Sequence, residues 1–225
     1  MTAVEAVRTT LIALREEVAR LHAELPRNNL VVWTSGNVSA RVHGHDLMVI
    51  KPSGVGYDDL DADAMVVTDL FGTLIDGAGA PSSDTAAHAY VYRNMPHVGG
   101  VVHTHSTYAC AWAALAKPVP CVLTMAADEF GGEIPIGPFA LIGDDSIGRG
   151  IVETLQESRS PAVIMQNHGP FTVGRTAKDA VKAAVMCEDV ARSAYLAMQL
   201  GTPVAIPQPD IDSLFNRYQN VYGQH

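Results

Sequence analysis

The sequence is poor in several things at once. Cysteine occurs three times, at Cys110, Cys121 and Cys187, unevenly spaced and each within apolar sequence. An odd, scattered set makes no disulfide framework, so all three are expected to be reduced packing residues. Basic residues are outnumbered, with 15 Lys and Arg against 24 Asp and Glu and a formal net charge of −9. That balance excludes an electrostatic grip on nucleic acid or on an anionic membrane surface, so any bound anion must be held locally. Long apolar runs are missing too. The segment from Thr2 to Glu24 alternates Val, Leu and Ile with Arg and Glu at helical spacing, which reads as an amphipathic helix and neither a signal peptide nor a membrane span. The expected compartment is the cytoplasm. No linker, internal repeat or low-complexity tract divides the 225 residues, so residues 1–225 are expected to form one α/β domain.

What is present is 48% hydrophobic residues punctuated by Gly and Pro. Val4, Val7, Leu11, Leu14, Val18 and Leu21 share a helical face, and Pro26 is expected to end that helix. Leu30 to Trp33 reads as a short strand. Thr34 to Arg41 and Asp46 to Lys51 read as a hairpin with His43-Gly44-His45 at its tip. Further strands are expected at Met65 to Asp69, Thr73 to Ile75, Val98 to His105, near Val122, Ala162 to Gln166 and Pro170 to Val173. Helices are expected from a Ser82 or Ser83 cap to about Asn94, from Thr107 to Ala116, from the Asp144-Asp145-Ser146 cap to about Glu157, from Thr176 to Leu200, and from Asp212 to Tyr222. Many hairpin-like connections beside long helices predict a three-layer α/β/α sandwich around a mixed, largely antiparallel sheet, not a doubly wound parallel one.

Chemistry concentrates at the ends of two apolar runs. His103-Thr104-His105 closes Val98-Gly-Gly-Val-Val, and Asn167-His168-Gly169 closes Ala162-Val-Ile-Met-Gln. A strand places residues i and i+2 on one face, so two imidazoles would project together, and a second strand in the same sheet could deliver His168 as a third. Asp84 could add an oxygen. Such a set suits Zn²⁺, with Mn²⁺, Co²⁺ or Fe²⁺ competing. The plainer reading makes these histidines core residues satisfied by carbonyls, but paired imidazoles are costly to bury without partners. His88 lies four residues beyond Asp84 and reads as a hydrogen-bonded helix residue, whereas His22, His43, His45, His97 and His225 are expected to be solvated. Three segments look suited to an anion: Gly36-Asn37 in a turn, Ser53-Gly54 after Lys51-Pro52, and Ser82-Ser83 opening a helix. Glycine admits backbone N–H groups, hydroxyls donate, and Lys51 adds charge.

Taken together, Gly36-Asn37-Val-Ser, Lys51-Pro-Ser-Gly, Pro81-Ser-Ser-Asp84, Gly100-Val-Val-His-Thr-His-Ser106 and Asn167-His-Gly-Pro-Phe171 resemble the class II sugar-phosphate aldolase/epimerase superfamily, in its motif order, from about Val31 onward. The likeness is strongest to the L-ribulose-5-phosphate 4-epimerase branch. The resemblance implies a metal, usually zinc, on His103, His105, His168 and Asp84. It implies phosphate contacts from Asn37, Ser53, Gly54, Ser82 and Ser83 with Lys51 nearby. It assigns proton transfer to Asp128 and Tyr222, the tyrosine entering a neighbouring subunit's site in a cyclic homotetramer. The implied reaction interconverts L-ribulose 5-phosphate and D-xylulose 5-phosphate by breaking and remaking C3–C4. A class II aldolase, or a related decarboxylase or dehydratase, is the alternative enzyme, and a structural metal scaffold the non-enzymatic one. Asp84 favours the epimerase, because the aldolase branch typically carries Glu there. Ala126-Ala-Asp-Glu-Phe departs from the epimerase pattern His-Ala-Asp-Tyr-Phe, beside the substrate.

Overall fold

The computed structural model describes residues 3–221. Its centre is an eight-stranded sheet whose order follows from hairpins folded outward from the middle. The strands are β1 (Asn37–Val42), β2 (Leu47–Ile50), β3 (Val66–Asp69), β4 (Leu74–Asp76), β5 (Gly100–His103), β6 (Ile136–Gly137), β7 (Ala162–Met165) and β8 (Gly169–Gly174). They lie in the order β4-β3-β2-β1-β5-β8-β7-β6. Every neighbouring pair is antiparallel except β6 with β7.

Side-chain alternation divides the sheet's two faces cleanly. Met48, Ile50, Val66, Val101, Val163, Met165 and Phe171 enter one apolar cluster with residues such as Ala87, Val91 and Ile151. Those come from α3 (Thr85–Asn94) and α6 (Ser146–Gln156). The intervening residues Val38, Ala40, Val49, Val67 and Val102 face the other way, onto Val18, Leu21 and Leu25 and onto Ala177 to Ala184. These belong to α1 (Ala3–His22), α2 (Glu24–Arg27) and α7 (Ala177–Leu200). On the same side, Ala162 and Ile164 meet α4 (Thr107–Ala114), α5 (Thr124–Phe130) and the second half of α7. Helices therefore cover both faces, giving the expected three layers. α8 (Gln208–Asn220) packs on α5. No helix among the described residues is long and apolar enough to cross a membrane.

Local expectations failed where turn chemistry or proline decided the outcome. Leu30 to Trp33 is not a strand: Trp33 has φ +58°, and Ser35 closes a turn by donating through Oγ to the Val32 carbonyl at 2.7 Å. Pro26 does not end the first helix but sits in the opening turn of α2, where a missing N–H costs nothing. Near Val122 no strand forms: Pro118 and Pro120, on either side of Val119, leave that residue alone to bridge Ile134. α5 follows at once and carries Asp128, and Gly131 at φ +64° terminates it. α8 begins at Gln208, earlier than expected, with Pro209 in its first turn, and ends at Asn220.

Candidate functional site

β5 ends at His103, sooner than a strand through His105 would need. The His103 ring stacks on its cross-strand neighbour Phe171, with centroids 4.1 Å apart and planes 13° from parallel. His103 Nδ1 lies 3.1 Å from the Pro170 carbonyl, which can only accept, so Nδ1 carries the proton and Nε2 presents its lone pair. Beyond the strand, the His105 N–H donates to the Leu30 carbonyl at 3.1 Å. That bond folds the segment back so that His103 Nε2 and His105 Nε2 approach to 3.0 Å. Gly36 makes room for this crossing. Its φ is +76°, and a Cβ there would stand 2.9 Å from the His103 carbonyl oxygen.

His168 arrives from the short turn between β7 and β8. Asn167 takes φ +57°, a conformation asparagine tolerates better than most residues, and donates its N–H to the Ala113 carbonyl. The His168 ring centroid comes to lie 4.6 Å from that of His103 and 5.4 Å from that of His105. One nitrogen from each of the three rings falls within 4.8 Å of the others. The sheet thus brings together the histidines that the strand ends predicted.

Asp84 is buried at the N-terminal end of α3. Its side chain caps nothing; instead Asn37 Nδ2 donates to Oδ2 at 2.8 Å and to Ser82 Oγ at 2.9 Å. Burial disfavours its charged form, yet His103, His88 and the Asn37 amide together hold its carboxyl below the usual value. Neither Ser82 nor Ser83 caps α3, which begins only at Thr85 with Asp84 in the cap position. Lys51 is buried, its Nζ donating to the Thr34 carbonyl at 3.2 Å, and burial lowers its pKa. The loops carrying Ser53 and Ser82 are joined by the Ser53 N–H donating to the Ala80 carbonyl and the Ser82 N–H donating to that of Lys51.

These pieces line one cleft of about 280 Å³. Its walls include Asn37, Lys51, Ser53, Gly54, Ser82, Ser83, Asp84, His103, His105 and His168, every residue named above for metal or phosphate. Nothing in the sequence singled out Ile142, which reaches the same cleft from the loop between β6 and α6. Asp128 is elsewhere, on α5, where Arg217 Nη2 donates to its Oδ1 at 3.3 Å. Tyr222 and His225 lie outside the described residues. His22, expected to be solvated, is fully buried: Nδ1 donates to the Val18 carbonyl and Nε2 accepts from the Val38 N–H, tying α1 to β1. The helical period hid this, because a histidine that bonds its own preceding turn keeps the apolar face intact.

The donor set fits a divalent cation. Both ring nitrogens of His168 and Oδ1 of Asp84 are shielded from solvent without a hydrogen-bond partner. Burial pushes the His103 pKa down to about 3 and lowers those of His105 and His168, so the rings offer lone pairs at neutral pH. Unpartnered lone pairs converging on one point are what a tetrahedral or five-coordinate ion satisfies.

Solved structures share this architecture. An L-fuculose 1-phosphate aldolase superposes with a TM-score of 0.86 at 25% identity, covering 92% of this chain and 96% of that one. YgbL of Klebsiella pneumoniae, described as a putative aldolase/epimerase/decarboxylase, gives 0.76 at 25% identity over 90% and 97%. The L-fuculose-1-phosphate aldolase of Thermus thermophilus gives 0.70 at 23% over 88% and 100%, a likeness of fold. The profile of the class II aldolase and adducin N-terminal domain matches residues 16–195, a span that holds all three histidines and Asp84. With most of its length so matched, the chain belongs to the class II aldolase and adducin N-terminal domain family.

Proposed function

We propose that this protein is a metal-dependent enzyme that breaks and remakes a carbon–carbon bond in a sugar phosphate, and that it does so as a 4-epimerase of L-ribulose 5-phosphate or a close pentulose phosphate. The observation that carries the reading is the meeting of three imidazole nitrogens within 4.8 Å in a cleft whose walls also carry Asp84, Lys51, Asn37 and several Ser and Gly residues. His103, His105 and His168, with Asp84, would hold the ion, zinc being the first choice. A divalent cation bound there supplies Lewis-acid stabilisation, worth several kcal/mol, for the negative charge left by the departing fragment.

The chain's own groups supply the rest. Lys51 and the hydroxyls of Ser53, Ser82 and Ser83 would neutralise and orient the phosphate, and the open φ +73° backbone of Gly54 leaves room for it. In the epimerase the phosphate sits on the aldehyde fragment, so these contacts retain that fragment while it turns over its face. Asp128 lies outside the cleft of its own chain, so it and Tyr222 would exchange protons on opposite sides of a substrate only across a subunit boundary of a homotetramer, Tyr222 entering from a neighbouring subunit. The short Asp84 carboxylate supports the epimerase over the aldolase. The aldolase reading draws its support from the 0.86 superposition on an L-fuculose 1-phosphate aldolase.

Product analysis separates them. Zinc-loaded protein given L-ribulose 5-phosphate should yield D-xylulose 5-phosphate with no free glycolaldehyde phosphate. Release of that fragment, or turnover of L-fuculose 1-phosphate with free dihydroxyacetone phosphate, means an aldolase. Full activity after exhaustive chelation would end both readings.

A further inference from the structure

His88 is a fully buried titratable group beside the cleft that the proposed chemistry leaves without a task. It stands one turn beyond Asp84 on α3, its N–H bonded to the Asp84 carbonyl at 3.0 Å, a spacing that puts both side chains on one face. Its Nδ1 lies 2.8 Å from Ser39 Oγ, and that oxygen lies 2.7 Å from Tyr92 Oη. The direction of this chain follows from counting protons. Tyr92 is fully buried, and its hydroxyl has Ser39 as its hydrogen-bond partner. If His88 Nδ1 donated to Ser39, then either Ser39 would donate to Tyr92 and bury the tyrosine proton without an acceptor, or Ser39 would accept from both and bury its own proton without one. The reverse order satisfies all three groups: Tyr92 donates to Ser39, Ser39 donates to His88 Nδ1, and the His88 proton is fixed on Nε2.

That Nε2–H is shielded from solvent and makes no hydrogen bond, while Asp84 Oδ1 is likewise shielded and lacks a donor. Each has what the other needs. Asn37 Oδ1 is also open, but a carboxylate accepts more strongly than an amide carbonyl. We infer that His88 is a positioning residue: with its tautomer set by Tyr92 and Ser39, it directs an N–H at Asp84 Oδ1 while Asn37 holds Oδ2, fixing the carboxylate's orientation toward the ion. This role rests on the metal reading proposed for the three histidines and Asp84.

Cobalt(II) binding tests it directly, followed by titration of metal-free protein and by the visible absorption of the bound ion. His88→Leu should weaken binding on the order of 10–100-fold and alter the absorption envelope. His88→Gln, whose amide can place an N–H near the Nε2 position, should restore most of both. Ser39→Ala, which frees the histidine to change tautomer, should fall between them, and it carries the test together with His88→Gln if the leucine variant does not fold. A His88→Leu protein that binds cobalt with unchanged affinity and spectrum overturns the inference. So does a series in which only the melting temperature moves. Wild-type protein that takes up no cobalt overturns the metal reading itself, a separate outcome.

Discussion

Two polar clusters occupy opposite ends of β5, β7 and β8, and they are finished differently. At the end where α5, α7 and α8 come together, the charges are paired as ions, although Glu129 Oε2 takes no hydrogen bond beyond its ion pair. Lys182 Nζ lies 2.9 Å from the buried Glu129 carboxylate, Arg159 bonds Asp212 and the Gly131 carbonyl at 2.7 Å each, and the Arg159 guanidinium lies over Phe215. At the histidine end, Asp84 Oδ1, His88 Nε2 and both nitrogens of His168 are shielded and unmatched. A fold can hold unmatched groups only if packing elsewhere fixes them, and such groups gain their partners when something binds. The matched cluster holds the structure together. The unmatched one is where we propose that an ion binds.

The sharpest way to break this contrast is to remove one nitrogen from the unmatched end. His105→Asn should abolish retention of zinc through dialysis and turnover together while leaving the fold intact by circular dichroism; independent loss of one without the other would divide metal from catalysis. Asp128→Asn comes next, because Asp128 sits on the matched side yet is assigned proton transfer. The substitution should slow kcat on the order of 10²–10⁴ with metal affinity unchanged. If Asp128 is only the partner of Arg217, the rate will hold and stability will fall by less than about 1 kcal/mol.

Acid should find the buried imidazoles. The pKa values of His22, His88 and His103 are pushed down by burial to about 3, 4 and 3, from 6.5. The unfolded chain takes up these protons near pH 6.5 and the folded chain does not, so the unfolded state binds more of them between pH 6.5 and about 4. Stability of metal-free protein should thus be full above that window and decline through it, by about 1.4 kcal/mol per pH unit for each histidine. Urea midpoints across the range will show this, and His22→Asn should flatten the slope if the variant folds. The smallest change is expected from Lys182→Met, which strands Glu129 at the matched end. A loss of about 1–3 kcal/mol in urea, discounted because Lys182 is half exposed, should come with unaltered metal affinity.

The legible part of this protein was the part written in periodic patterns. Short apolar runs and hairpin-like spacing marked β1, β2, β3, β4, β5, β7 and β8, and with the long helices they marked the layers. The histidines and the anion-suited turns could be named because their residue types are rare and their chemistry specific. What escaped has physical reasons. β6 is two residues long in a Gly/Pro-rich stretch and forms through its parallel pairing with β7, which no local signal encodes. The turn at Val32 to Ser35 looked like a strand because its apolar residues are those of one, while a serine hydroxyl and a positive φ at Trp33 settled its path. Ile142 enters the cleft from far along the chain. His88 was read as a hydrogen-bonded helix residue, as it is, but its serine partner on β1 lies 49 positions away.

Pro52 and Pro81 face each other as a lone antiparallel bridge, closed on either side by the amides of Ser53 and Ser82. Since neither proline has an N–H to offer, the amides of the two serines that follow them hold this clasp. The two loops that would receive a phosphate are therefore one mechanical part. Reshaping the pocket for a differently built anion would require changing both at once, and a lesion in either should loosen amide exchange in its counterpart.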